Sequence, residues 1–548
     1  MPQSYIADRR HFIAGVGAAL AAPSLVRAQR GPEFITVETS QGRLRGRRVG
    51  GVDVFKGVPY GATVSGAARF RPARPAPSWA GVRDALSLGT PSLQDPGTVY
   101  GLNEPAPGED CLVLNVWKPA GGGAGRPVMF YCHGGGFTTG SAGSVTQDGS
   151  NLAREYDVVV VATNHRLGLL GYLYLGELGG EAFAGSGNQG LSDIVLGLDW
   201  TRRNIAAFGG DPDNIMIFGE SGGGAKTSCL YAAPSVAPIF AKAAIQSGPA
   251  VRIGTPATAA QTTRLVLQQM GLGPSDWRKL LEVPAPAILE AQNAVAKATR
   301  RGEPGGWRGI ADFPAGGYGP ILDPTLLPHH PFDPAAPTSA RDKPLIVGWM
   351  DNEAAFFAEQ AKDYAAFTLD EAGLRARLEK RLGGNTGRVI DAYRQSRPGA
   401  DPTDIYLAVG SIAVMGEGSV VIAERKAAQG GAPVYYYNLA YRSNRKAPGV
   451  AREEGALHAS DIPLVFDNAG PLDTFAGSRP DRLQAAKAMS GYWTSFARSS
   501  RPTAADQPTW APYDLTRRAT LVIDASCSLV DDRRGAERRL WREIDPPT

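Results

Sequence analysis

Short, continuous apolar runs rich in β-branched residues recur along this chain, and they constrain its fold more than any other feature. Five such runs stand between stretches of helical periodicity: Pro127–Cys132, Val158–Ala162, Ile215–Phe218, Leu345–Val347 and Val434–Tyr437. Strands that are apolar at every position are typical of a sheet buried on both faces. Leu191, Ile194 and Leu198 recur at helical spacing before the third run, which predicts a crossover helix. The sequence therefore predicts an α/β fold with a mostly parallel sheet covered by helices.

Composition and charge exclude several classes of protein. The 548 residues are 43% hydrophobic and 20% charged, which is the composition of a globular protein and excludes a disordered chain. Residues 1–28 supply +2 of the net charge of +4, so the remainder has a net charge of only +2. Such a small charge does not indicate a nucleic-acid-binding protein. We expect residues 29–548 to form one domain with large insertions, among them a helical, lid-like one over residues 261–298. The oligomeric state stays open.

The N-terminal segment has the pattern of an export signal. The paired Arg9 and Arg10 precede the apolar segment Phe12–Ala22, and small residues end the segment at Ala28. This order predicts a twin-arginine signal over residues 1–28 and a periplasmic or secreted protein. A short N-terminal helix of the domain is the alternative. The apolar segment is too short to span a bilayer, so we expect no membrane anchor.

Neither the cysteines nor the glycine patterns indicate a metal or a cofactor. The four cysteines lie far apart, without a Cys-x-x-Cys pair or a histidine at ligand spacing: Cys111, Cys132, Cys229 and Cys527. We expect buried free thiols rather than a zinc site. Residues Gly185–Gly190 match Gly-x-Gly-x-x-Gly, but no strand pattern precedes them, so the context of a dinucleotide site is missing.

The segment Gly219–Gly223 fits Gly-x-Ser-x-Gly in the context that this motif requires. A predicted strand precedes it and a helical pattern follows it. Glycines permit the tight turn that lifts the hydroxyl of Ser221 above a sheet. In such a turn the backbone N–H of Gly222 and the positive end of the helix face an oxyanion formed at the serine. We interpret Ser221 as a nucleophile rather than as an incidental small residue.

A second glycine run, His133–Gly136, follows the strand Pro127–Cys132. Successive glycines let backbone N–H groups point into a site without obstruction by a Cβ atom. A glycine run alone is weak evidence, because it is usually a flexible turn. Its position ahead of Ser221 in the chain favours an oxyanion-binding loop.

A serine of ordinary pKa needs a base, and histidine is the usual one near neutral pH. In hydrolases whose catalytic residues follow successive strands, the nucleophile comes first in the chain, and the acid and the histidine follow it. His329 and His330 lie where the acid is expected, so His458 is the candidate base. The acid should follow the strand Leu345–Val347, where the sequence offers Asp351 or Glu353, and spacing alone does not choose between them.

An ordered set of motifs resembles the type-B carboxylesterase and cholinesterase family of α/β-hydrolases over nearly all of residues 29–548. The matching stretches are FKGVPYG, RFRPARPAPSWAGVRDA, EDCLVLNVW, HGGGF, NHRLGLLGYL, GNQGLSDIVLGLDWTRRNIAAFGGDPDNIMIFGESGGGA, IQSG, DNEAAFF and GALHASDIPLVF. The resemblance implies a serine carboxylesterase that acts on a small-molecule ester through an acyl-enzyme and needs no cofactor. Carried over by residue, it implies Ser221 as nucleophile, His458 as base, Glu353 as the acid, and an oxyanion hole formed by Gly135, Gly136 and Gly222.

The chain departs from the family's pattern at three points. Gly222 stands where the family usually has Ala, and function should survive because only the N–H is used. Ser92 stands where the family often has the disulfide partner of Cys111, so we expect no disulfide there. Asp461 belongs to His-Ala-Ser-Asp instead of the commoner His-Gly-x-Glu, which leaves its role open. An amidase, lactonase or thioesterase with the same triad, or a non-catalytic binding module, is the alternative function.

Overall fold

The computed structural model describes residues 33–95, 104–299, 315–470 and 475–544. The predicted export signal therefore lies outside the described residues. Within them, thirteen strands form one sheet and two short strands form a second. The strands are β1 (Glu33–Thr39), β2 (Gly42–Val49), β3 (Val52–Pro59), β4 (Val82–Asp84), β5 (Val113–Pro119), β6 (Arg126–Cys132), β7 (Val159–Thr163), β8 (Gly210–Glu220), β9 (Lys242–Gln246), β10 (Leu345–Met350), β11 (Val434–Leu439), β12 (Ser443–Lys446), β13 (Glu453–Gly455), β14 (Ala519–Ile523) and β15 (Ser528–Asp531).

The centre of the large sheet is parallel, as predicted. Its strand order is β1-β2-β3-β5-β7-β6-β8-β9-β10-β11-β14-β15, with β4 beside β2, and β12 pairs with β13 separately. From β7 to β14 every neighbouring pair is parallel, whereas the pairs outside this centre, except β2 with β4, are antiparallel. The five apolar runs form β6, β7, β8, β10 and β11, so the prediction of the strands is confirmed.

Helices cover the sheet. Within the described residues they are α1 (Ser150–Tyr156), α2 (Gly168–Tyr172), α3 (Gly176–Gly179), α4 (Gln189–Asn204), α5 (Gly222–Ala232), α6 (Pro256–Gln269), α7 (Ala285–Thr299), α8 (Glu353–Gln360), α9 (Glu371–Leu382), α10 (Thr386–Ser396), α11 (Pro402–Ser411), α12 (Glu417–Ala428), α13 (Ile462–Val465), α14 (Arg482–Ser499) and α15 (Gly535–Ile544). The predicted crossover helix is α4. The helical region predicted over residues 261–298 overlaps α6 and α7, which lie between β9 and β10 in the chain and extend beyond the predicted bounds at both ends.

Both faces of the sheet are buried, which explains why its central strands lack a polar face. Along β6, Val128 and Phe130 pack into one hydrophobic cluster, and Met129 and Tyr131 pack into the cluster on the opposite face. Alternate side chains of a strand point to opposite faces, so helices on both sides require apolar residues at every position.

One long apolar helical segment belongs to this core. Helices α11 and α12 join through the π-helical turn Ile412–Gly416, and the segment Pro402–Ala428 is apolar and long enough to cross a membrane. In its most apolar window 83% of the residues are buried inside the protein. This segment is therefore a buried core helix.

The cysteines are buried and free in the structure. The Cys111 thiol lies beside Ser92, and burial raises its pKa to about 12. A thiol with so high a pKa is a poor nucleophile, since the thiolate is the reactive form. Cys111 therefore packs as a small apolar residue.

The parallel strands bring the candidate residues to one edge of the sheet. The glycine run follows β6, Ser221 follows β8, and Glu353 follows β10. Because β6, β8, β9 and β10 are adjacent and parallel, the segments that follow their carboxyl ends meet at the same edge. In open α/β sheets this edge is where ligands bind.

Candidate active site

Ser221 sits on a strained turn between β8 and α5. Its backbone has φ 58° and ψ −124°, a conformation that non-glycine residues rarely adopt. The turn is anchored to the neighbouring strand β9, because the N–H of Ser221 donates to the carbonyl of Gln246 at 2.9 Å. A Cβ atom at Gly223 would lie 2.0 Å from the carbonyl oxygen of Cys132, so this position requires glycine. The turn leaves 7% of Ser221 exposed, in an otherwise buried environment.

Glu353 and His458 form a short, buried pair beside this turn. Glu353 Oε2 accepts from His458 Nδ1 at 2.5 Å, and both side chains are buried. The other carboxylate oxygen accepts from Ser247 Oγ at 2.6 Å and from the N–H of Met350 at 2.8 Å. The imidazole also packs against two rings of α8, those of Phe356 and Phe357. Glu353 is therefore fixed from three directions, and its carboxylate orients the imidazole with Nδ1 as the donor.

Asp351, the alternative acid, faces the C-terminal part of the chain instead. Its Oδ2 accepts from Arg533 at 2.7 Å and lies 3.5 Å from Arg534. Burial alone would raise the pKa of Asp351, but these two guanidinium groups hold it below the ordinary value. Spacing left both acids open, whereas the structure brings Glu353 to His458.

The second nitrogen of His458 faces Glu220, the residue before Ser221. Nε2 lies 3.3 Å from Glu220 Oε1, and Ser221 Oγ forms no hydrogen bond with any described residue. Catalytic hydrogen bonds are often long in ligand-free sites. Sequence reasoning missed Glu220, although it occupies the variable position of Gly-x-Ser-x-Gly.

Burial and charge together set the protonation of this cluster. Burial raises the pKa of the Glu220 carboxyl well above its usual range. Burial alone would lower the pKa of His458, but the neighbouring Glu220 and Glu353 carboxylates raise it to about 9. The imidazole and the carboxyl therefore hold a proton to a higher pH than the isolated groups would.

The glycine run packs against the turn that carries Ser221. Gly135 and Gly136 have φ 85° and φ 61°, and the carbonyl of Gly135 accepts from the N–H of Thr139 at 3.0 Å. A Cβ atom at Gly222 would lie 2.1 Å from the carbonyl oxygen of Gly136. In this chain a Cβ atom at position 222 would therefore require the glycine run to move. In the described part of the chain, the N–H groups of Gly135, Gly136 and Gly222 donate to no other group.

Asp461 reaches the same turn indirectly. Its Oδ2 accepts from Gln246 Nε2 at 2.7 Å and from the hydroxyl of Tyr437 at 3.4 Å. Burial raises the pKa of Asp461 to about 7. Because the carbonyl of Gln246 holds the N–H of Ser221, Asp461 supports the turn through Gln246.

The rings of three other histidines have partners outside the pair of Glu353 and His458. His133 stacks on His165 with ring centroids 4.5 Å apart, and His330 Nδ1 accepts from the N–H of Ile253. The Gly-x-Gly-x-x-Gly motif follows the 3₁₀ turn Glu181–Phe183 rather than a strand. Among the residues that the structure describes, no group of three or more His, Cys, Asp or Glu is arranged to hold a metal.

The fold and the site define a serine hydrolase with the α/β-hydrolase architecture. Residues 33–541 match the sequence profile of the carboxylesterase family, and the chain belongs to that family. The chain is therefore a serine carboxylic-ester hydrolase, as the sequence predicted.

Relatives with a name or a solved structure match it almost end to end. It is 31% identical to the para-nitrobenzyl esterase of Bacillus subtilis over 509 residues, which cover 92% of this chain and 97% of that one. It is similar to the crystal structure of the Geobacillus stearothermophilus carboxylesterase EST55, with 36% identity, a TM-score of 0.78, and coverage of 92% and 99%. It also resembles an esterase from Clostridium hathewayi that can hydrolyse aliphatic aromatic polyesters, with 30% identity, a TM-score of 0.76, and coverage of 94% and 100%.

Proposed function

We propose that the enzyme hydrolyses small-molecule carboxylic esters by two-step acyl transfer, with Ser221 as the nucleophile. His458 is the general base, and Glu353 orients it. The observation that carries this assignment is the 2.5 Å contact between Glu353 Oε2 and His458 Nδ1 beside the strained turn of Ser221. A nucleophile, a base and an orienting carboxylate in this order are the parts that acyl transfer requires.

In the first step His458 Nε2 removes the proton of Ser221 as Oγ attacks the ester carbonyl. The tetrahedral intermediate collapses, the bond to the alcohol oxygen breaks, and the alkoxide leaves with the proton from His458. In the second step water attacks the acyl-enzyme with His458 as base, and the carboxylic acid is released as Ser221 regains its proton. Nε2 must turn from Glu220 towards Ser221 for this transfer.

The N–H groups of Gly135, Gly136 and Gly222 bind the oxyanion. This part of the proposal is supported by the packing of the glycine run on the turn and by the absence of other acceptors for these donors in the described residues. Preorganised backbone donors stabilise the charge that develops on the carbonyl oxygen. The N-terminus of α5 adds its positive dipole.

The experiment is the initial rate of hydrolysis of 4-nitrophenyl esters from acetate to decanoate, with matched 4-nitroanilides beside them. Ser221→Ala should abolish turnover of every ester. Ser419→Ala is the matched control, because Ser419 is a buried serine on α12 whose hydroxyl has no partner among the described residues. Equal ester rates in wild type and Ser221→Ala would contradict the assignment. Anilide rates above the ester rates would favour an amidase.

We further propose that the chain is exported through a twin-arginine signal over residues 1–28 and acts in the periplasm or outside the cell. The proposal is supported by Arg9 and Arg10, by the apolar segment after them, and by a family match that begins at residue 33. Replacing both arginines by lysine should retain the esterase in the cytoplasmic fraction. Unchanged export of that variant would contradict the proposal.

A further inference from the structure

A lysine lies at the back of the proposed oxyanion hole. Lys226 belongs to α5 and follows Gly222 by four residues, so the two share a helix face. Helical side chains lean towards the N-terminus of their helix, here towards the turn of Ser221. Lys226 Nζ donates to the carbonyl oxygen of His133 at 3.0 Å. The lysine therefore ties the start of the glycine run to the helix that follows Ser221.

This lysine is buried without a counter-charge. Its exposed fraction is 0%, and no carboxylate of the described residues forms an ion pair with it. The hydrogen bond to His133 is its one hydrogen bond to the described residues, although an ammonium has three donors. Nζ also lies 5.5 Å from the centroid of the Phe137 ring. A buried cation with so few partners is energetically costly in a resting protein.

The titratable groups around Lys226 do not offset its charge. They are Cys132 at the end of β6, His133 in the glycine run, and His165 after β7. Burial raises the pKa of the Cys132 thiol to about 12 and lowers the pKa of both imidazoles well below the ordinary value, so all three are neutral near pH 7. Burial also lowers the pKa of Lys226 itself to about 7.

The electrostatic consequence concerns the anion that forms above this helix. The N-terminus of α5 already presents a positive dipole, and a cation in its first turns is repelled by it. When a negative charge develops at the turn of Ser221, the helix dipole and the Lys226 cation both attract it. The surroundings exclude water, so this attraction is weakly screened.

We propose that Lys226 is a positioning residue that holds the glycine run in place and supplies positive charge behind the oxyanion hole. The inference rests on the proposed function, because it assumes that the oxyanion forms at Ser221. The nucleophile and the base remain Ser221 and His458, and Lys226 acts through the His133–Gly134 peptide and through its field. By holding the carbonyl oxygen of His133, Lys226 fixes the start of the glycine run, from which the donors Gly135 and Gly136 follow.

Two substitutions separate this role from a structural one. Lys226→Met removes the charge and the hydrogen bond, and Lys226→Gln removes the charge while retaining an N–H donor. We expect both to lower kcat by about tenfold with little change in KM, which is less than the loss of a direct oxyanion donor. The inhibition constant of a trifluoromethyl ketone, which mimics the tetrahedral intermediate, should rise in parallel. The Tm of Lys226→Met should rise, because a buried unpaired charge is removed.

The difference between wild type and Lys226→Met should depend on pH. A lysine with a lowered pKa is charged below that pKa and neutral above it. The rate ratio should therefore be largest below pH 7 and shrink as the pH rises through the pKa of Lys226. Lys426 on α12 is the matched control, a buried lysine whose Nζ donates to Ala340 O, Arg341 O and Gln429 Oε1. Lys426→Met should lower Tm and leave kcat unchanged.

Labelling with a 4-nitrophenyl phosphonate tests Ser221 as the nucleophile separately from the positioning role of Lys226. If wild type and both variants are labelled at Ser221 and the variants keep the wild-type kcat and inhibition constant, the role of Lys226 is overturned alone. A fall in Tm with equal loss of binding and turnover would also overturn it, because that pattern indicates a structural lysine. If Ser221 of the wild type is not labelled although the protein is folded, the proposed function and the role of Lys226 fall together.

Discussion

The two sides of Ser221 are held in place in different ways. On the acid side, Glu353 is held by side-chain and backbone hydrogen bonds and pairs with His458. On the glycine side, the run around Gly136 lies against Gly222 in a contact that leaves no room for a Cβ atom. The acid side depends on side chains that form hydrogen bonds, whereas the glycine side depends on the absence of Cβ atoms. We therefore expect the losses on the acid side to scale with the group that is removed, and we expect the glycine side to lose activity when a single methyl is added.

The largest effect expected on the acid side comes from Glu353→Gln. The substitution retains the volume but presents an amide to His458 Nδ1, which disfavours the tautomer that accepts the serine proton at Nε2. We expect kcat to fall by about ten-thousandfold, as for removal of the orienting carboxylate in a serine protease triad. Steady-state kinetics with a 4-nitrophenyl ester and a thermal melt measure the loss and check the fold.

Asp351→Asn is the control for this substitution. Asp351 pairs with Arg533 and not with His458, so its loss should lower Tm and leave kcat near the wild-type value. The opposite ranking, with Asp351→Asn inactive and Glu353→Gln active, would assign the acid to Asp351.

On the glycine side, Gly222→Ala should lower kcat by about a hundredfold, as for loss of one oxyanion donor. The added methyl would lie 2.1 Å from the carbonyl oxygen of Gly136, so the glycine run must move away from Ser221. Gly387→Ala is the matched control, because a Cβ atom there would meet only the end of Arg375 at 3.8 Å. A Gly222→Ala enzyme with wild-type kcat would show that this contact does not set the position of the donors.

A smaller effect should follow from Ser247→Ala. Ser247 Oγ donates to Glu353 Oε1 at 2.6 Å, and the N–H of Met350 still holds the same oxygen after the substitution. The loss of one hydrogen bond to a charged group should lower kcat by about tenfold. A loss as large as that of Glu353→Gln would mean that losses on the acid side do not scale with the group that is removed.

The smallest effect is a shift of the pH profile by Glu220→Gln. His458 must be neutral to accept a proton, so kcat/KM rises with pH through its pKa, which the neighbouring carboxylates raise to about 9. Replacing the Glu220 carboxyl, 3.3 Å from Nε2, by a neutral amide should lower the pKa of His458 and shift the acid limb of the profile to lower pH. Glu424→Gln, on α12, is the control and should leave the limb in place. An unmoved limb in Glu220→Gln would show that Glu220 is uncharged in the free enzyme.

The sequence predicts one side of this site better than the other. Ser221 and the glycine run follow strands that are apolar throughout, and local patterns of strand, glycine and helix are sufficient to place them at one sheet edge. The choice between Asp351 and Glu353 is not local. This choice depends on the turn between β10 and α8 and on Arg533, which pairs with Asp351 from 182 positions further along the chain.

The partners that sequence reasoning missed are also long-range contacts. Ser247 and Glu353 are separated by 106 positions, and Lys226 and His133 by 93. A lysine in a helical pattern is ordinarily placed on the solvent face, and only the packing of α5 on the sheet shows that Lys226 is buried. The family resemblance carries over Glu353, but it says nothing of Lys226, because that residue's role depends on the local packing of this chain.

The most direct test of Ser221 as the nucleophile is intact-protein mass spectrometry after reaction with a 4-nitrophenyl phosphonate, followed by peptide mapping. We expect one phosphonyl group per chain, located on Ser221, with loss of esterase activity in proportion to labelling and no label on Ser221→Ala. A label on another residue, or an enzyme that hydrolyses esters while Ser221 stays unmodified, would contradict the assignment of Ser221 as the nucleophile.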